Sequence, residues 1–430
     1  KKFDKILDKK LFKKLIKSHF SETTKNSMDL KYKVPLGVPS YDWEEVYEAL
    51  DSLLKMKTTM GSKVQLFEKL FAEYIGVKYA LMVNSGSSAN LLALAILSNP
   101  LLGNDRIQEN DEIITPAITW STTVYPIANI HAKPVFVDVD PTNYNIDTKN
   151  IEDAITKKTK AILPVHLLGN PCNMNEIKRI ANKNDLYLVE DCCEALGAKV
   201  NNKQVGSFGD IGTFSFFISH LITTMEGGML VTNNENFYEL GKSLRAHGWS
   251  RNLKTRKKIE KQNPNINSEY LFSNLGYNFR PTEIQGSFGI HQIKKLDKFL
   301  KIRNTNANFW KKELIKFSDF IELTQTKRNN FNANMLFPIR IKKNNYFTKT
   351  ELVKYLEKKG IETRPVMAGN FVMQPVINLI KHKKSGKLDN STDIMENSFL
   401  IGNHQNIDHI SRRYVIDQIT KFLKSKITNI

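Results

Sequence analysis

Residues 187–228 read YLVEDCCEALGAKVNNKQVGSFGDIGTFSFFISHLITTMEGG, and the fold class can be inferred from this segment. An apolar strand pattern at 187–191 ends in two acidic residues, and a second strand pattern at 212–217 leads into a hydroxyl-rich loop. That loop holds one histidine, His220, and ends in a Gly-Gly pair before the next strand pattern. Short strands followed by polar side chains are typical of open α/β sheets, which bind ligands at the carboxyl ends of their strands.

Further strand patterns lie on both sides of this stretch and alternate with helical segments, as in a parallel sheet that is covered on both faces. The seven predicted strands are 79–83, 112–116, 134–139, 161–166, 187–191, 212–217 and 227–232. The polar segment 251–275 is predicted to be a long loop. Helical and strand patterns after residue 290 predict a smaller α+β domain. The predicted organisation is an N-terminal helical arm at 1–33, a large α/β domain at 34–290 and the smaller domain at 291–430.

The composition limits the class of protein. With 430 residues, 41% of them hydrophobic and 25% charged, the chain is too long for one small domain. Its longest clean apolar stretch, Leu91–Leu97, is far shorter than the ~20 residues of a membrane span. The Lys-rich start lacks the apolar segment of a signal peptide. We therefore expect no membrane span and a cytoplasmic location.

The net charge of +19 is compatible with nucleic acid, anionic lipid or a phosphorylated substrate as a partner. The excess is mostly lysine and is spread along the chain, and no motif for base readout accompanies it. We therefore expect a solvated lysine surface and no nucleic-acid partner. In residues 1–20, apolar residues recur at helical spacing between lysines, which predicts an amphipathic helix. Such a helix packs on its own domain or a partner subunit, or lies on a membrane surface; we favour packing.

The segment NSGSSAN at 84–90 lies between a strand pattern and an apolar helix pattern. A helix N-terminus presents unpaired backbone N–H groups, and small residues allow a phosphate to approach them closely. The segment therefore predicts an anion site, although serine and glycine also serve as plain turn and capping residues.

Two further residues extend this candidate site. Asp191 stands at the end of an apolar strand, where a carboxylate can hold a positive charge. Trp120 follows the second strand, where an aromatic ring either stacks on a ligand or fills the core.

Together, the anion site, the aromatic residue, the strand-end acid and the Ser/His/Thr loop resemble the fold type I pyridoxal-phosphate enzymes, and more narrowly the sugar-nucleotide aminotransferase family. The resemblance implies an aspartate-aminotransferase-like α/β fold, with a large three-layer domain around a seven-stranded, mostly parallel sheet and a smaller α+β domain. It assigns Gly86, Ser87 and Ser215 to the cofactor phosphate. It also assigns Trp120 to stacking on the cofactor ring and Asp191 to the pyridine nitrogen.

The resemblance also implies a partner subunit. Asn278, in the segment LGYNFRP at 275–281, matches the residue that reaches the cofactor phosphate of the neighbouring subunit. This implies a homodimer with shared active sites. Arg364, in Thr-Arg-Pro, matches a substrate-side arginine of the smaller domain.

One position departs from most members of that family. They carry at the position of His220 the lysine that bonds the cofactor covalently, and this chain has no lysine between Lys203 and Lys242. A histidine cannot form a Schiff base, so the cofactor would be bound noncovalently and would rest as pyridoxamine phosphate. An imidazole can still accept a proton near neutral pH.

The same replacement marks the branch of 3-dehydratases that act on nucleotide-linked 4-keto-6-deoxyhexoses. Its pattern Ser-Phe-x-x-x-His-x-Ile-Thr-x-x-Glu-Gly-Gly matches residues 215–228, and Met225 departs from the glycine that is usual in the wider family. The branch also carries the acid at Glu194, assigned to the cofactor, and the histidine at His247, assigned to the substrate. The resemblance thus implies removal of the C3 hydroxyl with His220 as the base. A catalytically silent scaffold and an aminotransferase of unusual mechanism are the alternatives.

The cysteines distinguish two subtypes of this branch. One subtype passes electrons through a [2Fe–2S] cluster, which needs four ligands, usually all cysteine. The other has no cluster, and glutamate re-aminates its cofactor. This chain has three cysteines, Cys172, Cys192 and Cys193, and none in 248–279, where cluster-type enzymes place most of theirs. We therefore predict no iron–sulfur cluster, no metal, and glutamate as a substrate, with GDP, CDP or dTDP on the sugar left open.

Overall fold

The computed structural model describes residues 9–26 and 31–427 of the chain. The helices are α1 (Lys9–Asn26), α2 (Trp43–Leu54), α3 (Ser62–Ile75), α4 (Gly86–Leu97), α5 (Ser121–Asn129), α6 (Thr148–Ala154), α7 (Met174–Lys183), α8 (Glu235–Arg245), α9 (Arg256–Gln262), α10 (Glu283–Leu314), α11 (Lys349–Lys358), α12 (Asp389–Asn397) and α13 (His409–Ile427). Short 3-10 helices lie at Pro100–Asp105, Leu167–Gly169, Ser268–Tyr270, Ile315–Phe317, Phe371–Met373 and Pro375–Leu379.

The strands form three sheets. They are β1 (Tyr79–Val83), β2 (Glu112–Pro116), β3 (Lys133–Val137), β4 (Thr159–Ile162), β5 (Tyr187–Asp191), β6 (Lys199–Val200), β7 (Lys203–Gln204), β8 (Ile211–Ser215), β9 (Gly228–Thr232), β10 (Ile321–Glu322), β11 (Asn330–Phe331), β12 (Leu336–Ile341), β13 (Thr363–Pro365), β14 (Lys383–Lys384) and β15 (Ser398–Gly402).

The main sheet has the order β1-β9-β8-β5-β4-β2-β3-β14 across the described residues. Its neighbours pair in parallel except β9, which runs antiparallel to both β1 and β8. The seven predicted strands are all present. The prediction of seven was one short, because the two lysines of β14 add an edge strand that carries no apolar strand pattern.

Alternate residues of the main sheet face two different apolar cores, as the period of a strand requires. In β2, Ile113 packs with α4 and α8, whereas Ile114 packs in the core that contains α3, α7 and α10. The sheet is therefore covered on both faces, and the predicted three-layer arrangement is confirmed.

A second sheet, of order β10-β12-β15-β13, is antiparallel throughout and packs against α10, α11 and α13. The long helix α10 runs from one sheet to the other and crosses residue 290. Val34 pairs with Ile361 and is buried in the core of the second sheet. The predicted boundary at residue 290 stays a prediction.

Two peripheral segments can be compared with the expectations. The predicted arm contains α1, which packs on α2 through a contact of Phe12 with Tyr47, while Lys13 lies over the ring of Trp43. Three of the apolar residues that predicted this helix, Phe3, Ile6 and Leu7, lie outside the described residues. The segment predicted as a loop at 251–275 contains the short helix α9, which buries none of its residues.

None of the helices in residues 9–26 and 31–427 is long and apolar enough to cross a membrane.

Candidate active site

The predicted anion site lies at the N-terminus of α4. Ser85 caps the helix, and its Oγ accepts a hydrogen bond from the Ser88 amide at 3.1 Å. Gly86 contacts the end of β8 so closely that a Cβ atom built on it would lie 2.4 Å from the Ser215 Cβ. Ser87 is exposed in the first turn of the helix. The structure thus brings Gly86, Ser87 and Ser215 together where free amides and hydroxyls can surround a phosphate.

Asp191 lies beside this helix at the end of β5 and is 4% exposed. Its Oδ2 accepts hydrogen bonds from Asn90 Nδ2 at 2.9 Å and Thr123 Oγ1 at 2.8 Å. Its Oδ1 accepts the Cys193 amide at 3.1 Å. Three donors, from α4, α5 and the loop after β5, therefore fix the orientation of this carboxylate.

Trp120 stands one turn from a partner of Asp191. It precedes α5, and its carbonyl accepts the Thr123 amide at 3.1 Å. Its side chain is 54% exposed, so the ring is not a core residue. Trp120 thus presents an exposed aromatic ring near Thr123, which holds Asp191. Such a ring can stack on a planar cofactor.

Glu194 is buried one turn after Asp191. Its Oε2 accepts the Leu168 amide at 2.6 Å. Burial raises the pKa of the Glu194 carboxyl to about 8; the Leu168 amide opposes this shift and the nearby Asp191 adds to it. Glu194 is therefore mostly protonated at neutral pH and can donate a hydrogen bond.

His220 follows β8, and its Nδ1 atom is buried without a hydrogen-bond partner. Burial lowers the pKa of the imidazole to about 4, although backbone groups of Cys193 and Ser215 and the charge of Asp191 act in the opposite direction. Since these groups act on the imidazole, the ring lies close to the strand ends that carry Asp191 and Ser215. The imidazole is neutral at pH 7 and retains a free lone pair for a proton.

The remaining predicted residues lie farther out. The His247 amide donates to the Tyr277 carbonyl at 2.7 Å, and the Asn84 amide of the anion site donates to the Phe279 carbonyl at 3.0 Å. The exposed Asn278 between them accepts a hydrogen bond from Arg280. Arg364 pairs with Glu362 on the second sheet. Within residues 31–427, neither Asn278 nor Arg364 makes a hydrogen bond or ion pair with the residues grouped around Asp191.

Three supporting residues were missed by the reasoning from sequence. Asn90 and Thr123 hold Asp191, and Thr213 Oγ1 donates to Asn90 Oδ1 at 2.5 Å. A polar asparagine in the otherwise apolar α4 was the one visible signal. The other two are threonines in ordinary helix and strand positions.

The residues present fit a phosphorylated pyridine cofactor. A Cβ on Gly86 would fill the space beside Ser215, and the buried Nδ1 of His220 and Oδ1 of Asn84 have no protein partner among the described residues. Unpaired buried polar atoms are costly unless a ligand or water satisfies them. Asp191 supplies the carboxylate that would face a pyridinium nitrogen, and Trp120 the ring that would stack on it.

A second buried cluster, His166, Glu190 and Cys192, has potential metal ligands close together. Its groups are already satisfied, since His166 Nδ1 accepts the Cys172 amide and Glu190 accepts the amides of Gly206 and Phe208. Because Nδ1 accepts a hydrogen bond, a ring proton lies on Nε2, which donates to Glu190 Oε2 at 3.2 Å. This cluster ties the carboxyl end of β5 to its neighbours, and its hydrogen bonds argue against a metal at this place.

The chain is similar to enzymes of known activity. The GDP-4-keto-6-deoxy-D-mannose 3-dehydratase of Escherichia coli O55:H7 is 41% identical over 371 residues, or 85% of this chain and 94% of that enzyme. The structure of E. coli GDP-4-keto-6-deoxy-D-mannose-3-dehydratase with bound hydrated PLP has a TM-score of 0.84 and 38% identity, covering 90% of this chain and 99% of that chain.

A structure of GDP-4-keto-6-deoxymannose-3-dehydratase with a trapped PLP-glutamate geminal diamine has a TM-score of 0.82 and 38% identity, covering 89% of this chain and 100% of that chain. The predicted fold type I architecture is confirmed by these similarities. Residues 40–420 match a single family over most of the chain. The chain belongs to the DegT/DnrJ/EryC1/StrS aminotransferase family.

Proposed function

We propose that this chain catalyses the pyridoxamine-phosphate-dependent removal of the C3 hydroxyl from GDP-4-keto-6-deoxymannose, and that glutamate restores the amine of the cofactor. The observation that carries the proposal is His220, a neutral imidazole with an unpaired, buried Nδ1, at the position where the wider family has its lysine. The similar enzymes named above support both the reaction and the GDP-linked sugar.

His220 acts as the base of the reaction. Its lowered pKa keeps the ring neutral at pH 7, so it can take a proton without first losing one. It has no amine, so it cannot form a Schiff base with the cofactor. Shorter and differently placed than a lysine, it would not carry the proton on to C4 of the sugar. This difference favours elimination of the C3 hydroxyl over amination at C4.

Asp191, Glu194 and Trp120 hold and orient the cofactor. When bound, the cofactor supplies an electron sink for the bond-breaking steps. Asp191, fixed by Asn90 and Thr123, would keep a pyridine nitrogen protonated. The protonated Glu194 would donate a hydrogen bond from its buried position.

The proposal includes a homodimer in which Asn278 reaches the cofactor phosphate of the partner subunit. Asn278 is exposed, and two apolar side chains before it in sequence, Phe272 and Leu275, are exposed as well. Leu275 is 94% exposed. Covering such an apolar side chain with a partner surface would be favourable. The cytoplasmic location stays a prediction.

Purified protein supplied with pyridoxal phosphate and glutamate tests the proposal against three sugars, the 4-keto-6-deoxyhexoses linked to GDP, CDP and dTDP. Mass spectrometry is expected to detect loss of the C3 hydroxyl from the GDP-linked sugar at the highest kcat/KM. Preference for another nucleotide would overturn the GDP assignment. Absence of cofactor binding would favour the silent scaffold instead.

A further inference from the structure

At the edge of the second sheet, the guanidinium of Arg364 is held by an ion pair with Glu362. Arg364 on β13 is 63% exposed, and its Nη2 lies 3.0 Å from Glu362 Oε1. Glu362 is far less exposed, at 16%. A guanidinium has five N–H donors, so this ion pair leaves most of them available to another acceptor.

The other carboxylate oxygen of Glu362 binds the main chain at Leu36. The Leu36 amide donates to Glu362 Oε2 at 2.8 Å. On the residues just before it, the Val34 amide donates to the Gly360 carbonyl at 3.0 Å and the Glu362 amide donates to the Val34 carbonyl at 2.9 Å. Glu362 thus joins Arg364 to the segment 34–40.

The segment 34–40 in turn lies against the loop of His220. A Cβ atom on Gly37 would lie 3.4 Å from the Cβ of Ser219, the residue before His220. Farther along, Gln292 Oε1 accepts hydrogen bonds from Ser40 Oγ at 2.5 Å and from the Thr223 amide at 3.0 Å. The segment therefore contacts this loop directly before His220 and is joined to it after His220 through Gln292.

Two contacts fix the other side of the same segment. His404 Nε2 donates to the Pro35 carbonyl at 3.2 Å, and Gln405 Nε2 donates to the Val38 carbonyl at 3.4 Å. Burial lowers the pKa of His404 to about 4, so the ring is neutral and remains a donor through Nε2 at neutral pH. The segment is a fixed connection between the second sheet and the loop of His220.

We propose that Glu362 is a positioning residue for the reaction: it orients Arg364 with one oxygen and holds the segment 34–40 against the His220 loop with the other. Arg364 then binds an anionic group of a substrate beside the site. The inference rests on the proposed function. Two substrates offer such oxygens, glutamate through a carboxylate and the nucleotide sugar through its diphosphate, and a guanidinium binds both by paired hydrogen bonds.

Orientation matters because a free arginine loses rotamer freedom when it binds. Ordering such a side chain in advance removes part of that cost. Replacing Glu362 by glutamine leaves an amide oxygen that can still accept the Leu36 amide, but it removes the charge that holds Arg364. We expect the dissociation constant of one anionic ligand to rise about threefold to tenfold.

The test is a double-mutant cycle with Glu362→Gln, Arg364→Ala and the double variant, all loaded with cofactor. Isothermal titration with GDP and, separately, with glutamate measures which anion Arg364 binds, and steady-state kinetics gives KM and kcat. We expect Glu362→Gln to weaken one ligand and raise its KM with little change in kcat. In the Arg364→Ala background the same substitution should have no further effect.

An equal effect of Glu362→Gln in both backgrounds would show a purely structural role and overturn the inference, as would unchanged affinity for both ligands. Glu322→Gln is the matched control, because it removes a carboxylate from the ion pair with Arg340 in the same sheet. It should leave both affinities unchanged. A wild type that binds these ligands but dehydrates no ketosugar would refute the proposed function, whereas an active wild type with an unaltered Glu362→Gln variant refutes the role of Glu362.

Discussion

At the scale of single residues, the proposed reaction depends on His220. A lysine at this position would bring an amine that can bond the cofactor, whereas the imidazole brings a lone pair on a neutral ring. Two effects act on the pKa of His220 in opposite directions: burial lowers it, and the charge of Asp191 raises it. Burial dominates, so the ring is a proton acceptor at pH 7.

Replacing His220 by asparagine tests its role as the base. Asparagine retains a polar side chain but cannot accept the proton, so we expect kcat to fall about 100-fold to 10,000-fold. Cofactor affinity should change little, because the phosphate and ring contacts lie on other residues. Turnover at the wild-type rate would show that another group takes the proton.

Glu194→Gln tests the protonation state of the buried acid. The pKa of Glu194 is about 8 in the folded chain, against 4.5 ordinarily. Between these values the unfolded chain ionises while the folded chain must keep a proton, so the free energy of unfolding falls as pH rises from about 4.5 to 8. Glutamine does not titrate. The free energy of unfolding of the variant, measured with urea, should therefore rise relative to that of wild type by roughly 2–4 kcal/mol between pH 5 and pH 8.5.

A difference in stability between wild type and Glu194→Gln that stays constant over this pH range would contradict the protonated state of Glu194. Glu269→Gln is a suitable control, because Glu269 is an exposed partner of Arg251 and Arg256.

The residues that we assign to the cofactor could be recognised in the sequence, and those that support Asp191 could not. Gly86, Ser215, Asp191 and His220 follow strands in a recognisable order along the chain. Asn90 and Thr123 meet Asp191 only because α4 and α5 pack against the same strand ends. No local pattern records such a contact. The contact of Glu362 with Leu36 spans 326 residues and is equally invisible in the sequence.

At the scale of elements, the junction of α4 and β8 is where we expect the cofactor phosphate to bind. Gly86 is the first residue of α4, and β9 also approaches it, since a Cβ on Gly228 would lie 2.7 Å from the Gly86 amide. Two glycines and a serine thus permit three main-chain segments to converge where the helix N-terminus is free.

Gly86→Ala tests this convergence. The added methyl must displace Ser215 or the helix N-terminus, so we expect the dissociation constant of pyridoxal phosphate to rise roughly tenfold. Absorbance titration measures it. Ser98→Ala, at the opposite end of α4, controls for changes to the helix itself and should bind the cofactor as wild type does. Unchanged affinity in Gly86→Ala would place the phosphate elsewhere.

The elements themselves were predictable where an apolar pattern carried them. Strands β1, β2 and β5 begin and end where the sequence predicts, because each is a run of buried residues. Strand β14 was missed because its two exposed lysines carry no apolar strand pattern, although they pair with β3 at the edge of the sheet. Helix α9 was missed for a similar reason, since its charged residues bury nothing.

At the scale of the whole molecule, the proposed dimer can be tested through an exposed leucine. Leu275→Glu should weaken association about tenfold or more, because it places a charge in the apolar contact expected beside Asn278. Sedimentation velocity measures the change. Leu379→Glu is the matched control, since Leu379 is also exposed, at 86%, and lies outside this segment. A wild-type monomer that binds cofactor fully would contradict the shared site.

The central claim is that this chain removes a hydroxyl group and does not transfer nitrogen to the sugar. The most direct measurement supplies the wild-type protein with pyridoxal phosphate, ¹⁵N-glutamate and GDP-4-keto-6-deoxymannose, and follows the label by mass spectrometry and NMR. The account predicts a 3-deoxy sugar product without nitrogen and the label released as ¹⁵N-ammonium. A sugar that retains its C3 hydroxyl and carries ¹⁵N at C4 would contradict it.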